Sequence, residues 1–147
     1  MTRSEACDGA TDPRVVVVGL DGADFRYLDR FELPAIDALR ESGVEAPLSS
    51  THPPWTASAW PSAYTGVPPS EHGVFGPFTY EGDDPAASRL VSRRDVAAPA
   101  LWDYCTAAGV PAVVLNVPVT HPADGIEGAL VPGYFAPPGA DGHPEGI

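Results

Sequence analysis

The sequence predicts an α/β fold, a largely parallel sheet flanked by helices. Two observations carry this expectation. Val15-Val16-Val17-Val18-Gly19-Leu20 is a continuous, mostly β-branched run of the kind found in strands covered on both faces. Along the chain, such runs alternate with helical periods in the order strand, helix, strand, helix, strand. At 147 residues the chain has the length of one domain with its own core.

The elements follow in order. Residues 1–13 are polar and are expected to be a disordered lead-in. The valine run ends at Asp21-Gly22, a strong turn signal. Leu33, Ile36 and Leu39 then share one helical face, Pro34 suits the first turn, and Gly43 suits the position just past the end. Val44 to Leu48 alternates weakly and reads as a second strand. After the Pro53-Pro54 break, Trp55 to Thr65 has room for a short helix, which Pro61 should break unless it lies in the first turn. Residues 66–90, rich in Gly, Pro and aromatics, read as an irregular excursion. A helix is expected over 99–108, with Leu101, Trp102, Cys105 and Ala108 on one face and Gly109 closing it. Ala112 to Leu115 reads as another buried strand. From Asn116 onward Pro and Gly dominate without a regular period, and 139–147 is expected to be an irregular tail.

Charge narrows the partners. Twenty acidic against eight basic side chains give −12, and all eight bases are Arg. A field of that sign repels nucleic acid and anionic membranes, so neither is an expected partner. The acids are dispersed, as on the surfaces of halophilic proteins. No apolar run reaches the length of a membrane span, and residues 1–12 lack the apolar core of a signal peptide. A cytoplasmic protein is expected. Cys7 and Cys105 match no zinc or redox spacing and are expected to be free thiols.

Two residues stand where chemistry gathers in such folds. Asp21 follows the first expected strand at its carboxyl end, where open parallel sheets collect ligands. A carboxylate there either holds a divalent cation or simply serves the Asp-Gly turn. Thr56 precedes an expected helix start, where its hydroxyl either faces an anion such as phosphate or caps the helix. His52, His72, His121 and His143 form no ligand set, and loop solvation or a local hydrogen bond is expected for each. The chain has no Walker-type phosphate loop, no Gly-x-Ser-x-Gly elbow and no Cys-x-x-Cys.

Taken together, the segments are more specific than any one alone. Val15 to Asp24 is followed by Thr56, by Thr65-Gly66 nine residues on, and by Pro69-Ser70-Glu71-His72-Gly73. Later come Asp95-Val96, Pro99 to Tyr104, Asn116-Val117-Pro118 with Pro122, and Gly133 to Pro137. This order resembles the alkaline phosphatase superfamily, and within it the prokaryotic branch of the type I phosphodiesterase/nucleotide pyrophosphatase family, over residues 14–138. The resemblance implies an alkaline-phosphatase-like catalytic domain and a metal-dependent phosphohydrolase acting on phosphate esters or pyrophosphates. Thr56 would be the nucleophile, forming a covalent phosphothreonine intermediate. Asp21 would ligate one of two divalent ions, with the Thr56 oxygen on the same ion; zinc is the usual metal and manganese the alternative.

The chain departs from the family pattern in having no Asp-His-Gly, in carrying Pro77 where relatives often place an Asn, and in Ser58 where many have Pro. It therefore holds a partial ligand set. It is expected to be the N-terminal portion of the catalytic domain, completed by a missing C-terminal half and leaving an unpaired sheet edge. Two other readings use the same residues: a truncated, non-catalytic remnant or interaction domain, and a phosphomonoesterase or phosphotransferase of the same superfamily.

Overall fold

A computed structural model describes residues 15–80, 82 and 86–147, so the lead-in over 1–13 and Cys7 lie outside the described residues. The chain divides into two compact units, residues 1–45 and 46–147.

In the first unit, residues 15–20 carry no regular structure, and Val15 to Val18 are 77–84% exposed. The buried first strand expected there is not formed, nor is the one over 44–48, where Val44 and Leu48 are also exposed. A β-branched run biases the backbone toward extension, but only a hydrogen-bonded neighbour makes it a strand. The chain turns at Asp21-Gly22 into α1 (Phe25–Leu28), which Asp24 caps by accepting the Arg26 N–H at 2.8 Å. Helix α2 (Pro34–Ser42) starts with Pro at its first position, as its sequence predicts. Arg40 ties its last turn to Asp29 and Glu45.

The second unit holds the core. Helix α3 (Thr56–Thr65) continues past Pro61, which sits at its sixth residue rather than in the first turn. Proline there removes one helical hydrogen bond, but the ring is fully buried, and that burial offsets the loss. Gly66, at φ +75°, ends the helix in the left-handed conformation that glycine adopts without strain. The stretch expected to be irregular contains α4 (Pro69–His72) and an antiparallel hairpin of β1 (Phe78–Tyr80) with β2 (Ser88–Leu90). A 3₁₀ turn (Arg93–Asp95) follows, closed by the Asp95 carboxylate, which accepts the Ser92 N–H. Hydrogen bonds from Arg89 hold that carboxyl at about 2, well below its ordinary value.

Helix α5 (Leu101–Ala107) leads into β3 (Ala112–Val117), which pairs in parallel with β4 (Gly128–Pro132). On α5, Trp102 is buried while Leu101, expected on the same face, is 56% exposed. Strand β4 lies inside the stretch expected to lack regular structure. Among the described residues the strands form two sheets of two strands each, so the larger parallel sheet is not present and only β3–β4 has that sense. The fold is thus a mixture of helices and small sheets. Within 139–147, His143 bridges to Leu130.

The core gathers Ala57 and Tyr64 of α3, Val74, Val91, Val96, Trp102, Val114 of β3, Val119, Ile126 and Leu130 of β4. The Tyr64 and Trp102 rings meet at 4.8 Å between centroids. Beyond β3, Val119 holds φ +61°, a conformation that costs a β-branched residue about 1–3 kcal/mol. Its N–H donates to Tyr134 C=O at 3.0 Å, and its own C=O accepts the Tyr64 hydroxyl at 3.1 Å. These two bonds hold the turn.

Candidate active site

Thr56 is the first residue of α3 and is partly buried. The cap position before it is Trp55, whose side chain makes no capping bond, so Thr56 lies inside the helix and is not its cap. What sets this helix start is the hydroxyl of Ser58, fully buried among the carbonyls of Pro53 and Trp55, each 3.1 Å away. Thr51 Oγ1 joins at 3.1 Å from Ser58 and donates to the Pro53 C=O. The Ser58 and Ala59 amides both donate to Trp55 C=O. The two-proline break therefore does more than extend the chain: its Pro53 carbonyl is gripped by the first turn of the helix that carries Thr56. A proline at position 58 would remove that grip.

His72 is not a solvated loop residue. It ends α4 and is fully buried. Its Nδ1 accepts the Val74 N–H at 3.2 Å, so the neutral ring carries its proton on Nε2, which donates to Ser62 Oγ at 2.8 Å. His72 C=O accepts the Ala97 N–H. That tautomer excludes His72 as a base for Ser62, because the nitrogen facing the hydroxyl already bears the proton. The residue instead clamps α4 to α3 and the segment after the 3₁₀ turn. Gly73, at φ +84°, supplies the left-handed step after it.

Burial pushes the His72 imidazole below its ordinary value. The unfolded chain then binds the extra proton first, so this contribution is fully present above about pH 6.5 and is lost as pH falls below it. The melting temperature is expected to drop through that window, and His72→Asn to flatten the drop. Thermal melts from pH 5 to 8 check it.

Asp21 is exposed within a turn in which the Ala23 N–H donates to Leu20 C=O at 3.3 Å, with Gly22 at φ +70°. The turn reading of Asp-Gly is thus realised. Asp21 belongs to the first unit and Thr56 to the second. Among the described residues no three His, Cys, Asp or Glu side chains come together as a metal-holding group. Asp21 and Thr56 supply two oxygen donors, short of the four to six that a closed metal centre needs.

The other candidates have structural roles or none assigned. His143 Nε2 lies 2.9 Å from Ile126 C=O. His121 accepts the Arg93 N–H through its C=O at 2.7 Å, while its Nδ1 is buried without a partner. Pro77 accepts the Val91 N–H through its C=O. Cys105 is a free thiol.

A profile of the family described as type I phosphodiesterase / nucleotide pyrophosphatase matches residues 15–143. The chain belongs to this family. No curated protein and no solved structure matches it. Membership of the type I phosphodiesterase family makes a phosphodiesterase- or pyrophosphatase-type hydrolase, acting on phosphate-ester or nucleotide substrates, the activity its ancestry indicates. Enzymes of this family generally use divalent metals. No helix among the described residues is long and apolar enough to cross a membrane.

The motif residues of this member of the type I phosphodiesterase/nucleotide pyrophosphatase family divide by role. Thr65, Gly66, His72 and Gly73 build and close the α3–α4 corner. Sequence reasoning misses the part played by Ser58 and His72, because burial of a polar side chain depends on contacts that no local pattern carries.

Proposed function

We propose that the chain carries the nucleophile of a phosphodiesterase/pyrophosphatase and that the nucleophile is Thr56. The observation that supports this is the placement of Thr56 at the first position of a ten-residue helix with no capping side chain. The helix end favours negative charge, so a phosphoryl group is attracted to where the hydroxyl stands. Thr56 Oγ1 attacks phosphorus, the bond to the leaving oxygen breaks, and a phosphothreonine ester forms. Water then hydrolyses that ester and restores the hydroxyl; protons lost and gained exchange with solvent.

Asp21 is the first metal ligand in this reading, with zinc or manganese as the ion. Two donors do not hold such an ion, so the remaining ligands come from outside the described residues, as a C-terminal half of the domain would supply.

The chain, alone or joined to such a half, is incubated with zinc or manganese and with bis-p-nitrophenyl phosphate or p-nitrophenyl phosphate. Release from the diester at the higher rate is the expected result. Preference for the monoester would favour the phosphomonoesterase reading, and a folded, completed chain inert on both would leave the non-catalytic one.

A further inference from the structure

We propose that the groove beside the C-terminal half of α3 binds an uncharged, polyhydroxylated ligand, a sugar or polyol group. The groove measures about 550 Å³, and Ser49, Ser50, Ser62, Ser70, His52 and Phe75 are among its lining residues. No Asp, Glu, Lys or Arg lines it. This is unusual in a chain with twenty acidic and eight basic side chains: across residues 46–80, Glu71 is the only one of those four types. Such a surface has no fixed cation for a phosphate and no carboxylate for a metal.

What it does present is hydroxyls, each both donor and acceptor, which is the hydrogen-bonding character of a sugar ring. One of them is set in advance. Buried His72 donates its Nε2 proton to Ser62 Oγ, a direction fixed by the Val74 N–H on the other ring nitrogen. The proton of Ser62 itself has no acceptor among the described residues, and Ser62 lines the groove. It is a donor oriented from behind by a side chain that cannot relax into solvent. Phe75, 57% exposed, offers an apolar face to the C–H side of a ring.

The site goes beyond the Thr56 reaction and is read by binding alone, without metal or turnover. Saturation-transfer NMR on the full chain uses myo-inositol and D-glucose as probes, with inorganic phosphate as competitor. At least one polyol is expected to receive saturation and phosphate not to displace it. Ser62→Ala and Phe75→Ala should each weaken binding about five- to tenfold, the loss of one neutral contact. Phe75→Ala removes no buried hydrogen bond, so it decides the matter if Ser62→Ala fails to fold. Thr56→Ala should bind as the parent does, which separates this proposal from the catalytic one. No transfer to either polyol, displacement by phosphate, or unchanged affinity in Phe75→Ala overturns it.

Discussion

Thr56→Ala is expected to lower diester turnover by about a thousandfold or more, the scale on which removal of a nucleophile acts. The start of α3 should survive the change. Alanine is the best helix former, and Thr56 lies at the first helical position, not at the cap. The start of α3 is instead held by Ser58 and Thr51 on the Pro53 and Trp55 carbonyls. Melting temperature should therefore stay within the change expected for about 0.5 kcal/mol while turnover collapses. Thr56→Ser keeps the oxygen and should retain activity within about tenfold of the parent. Parallel initial-rate and melting measurements on the three proteins check this. A loss of rate that tracks a loss of stability would assign Thr56 a structural role.

The largest effect on stability should come from Arg93→Ala. The Arg93 side chain, 11% exposed, joins two parts of the second unit: its Nε donates to Asp124 at 2.6 Å and its terminal amine to Asp103 at 2.9 Å. Each carboxylate has a second task. Asp124 accepts the Trp102 indole N–H at 2.9 Å, and Asp103 accepts the Ala100 N–H that starts α5. Removing the guanidinium leaves two partly buried carboxylates without their cation. Loss of one member of a fully buried pair costs about 3–5 kcal/mol. Because Asp124 and Asp103 remain 25% and 34% exposed, water recovers part of that, and about 2–4 kcal/mol is expected. Arg93→Lys keeps the charge but cannot reach both carboxylates in a fork, so it should fall between parent and alanine. Urea unfolding midpoints of the three chains give the order.

How much of this could be read from the chain itself depends on where each piece of information resides. Helix α2 is legible because Pro34 and the Leu33-Ile36-Leu39 spacing are local signals. Helix α3 is legible as a helix but not in its course, since the burial that lets Pro61 sit mid-helix is a tertiary fact. Strand β4 is hidden because Ala129-Leu130-Val131, between Gly128 and Pro132, is too short to show a period. The valine run shows the opposite failure: a strong local bias for extension at 15–20 without a paired neighbour among the described residues. At the site, Thr56 is singled out by the family resemblance that Thr65-Gly66 and His72-Gly73 help to carry. The buried tautomer of His72 and the grip of Ser58 do not, because both are decided by which carbonyl or amide the fold brings to the side chain.

The central claim, that Thr56 carries the phosphoryl group, is tested most directly by trapping it. The chain, completed if turnover requires it, is mixed with excess diester and quenched in acid during the steady state, then digested and mapped by mass spectrometry. A phosphoryl or phosphodiester adduct is expected on the peptide containing Thr56, located on that residue and missing from Thr56→Ala. Turnover with the adduct on another residue, or undiminished turnover by Thr56→Ala, would contradict it.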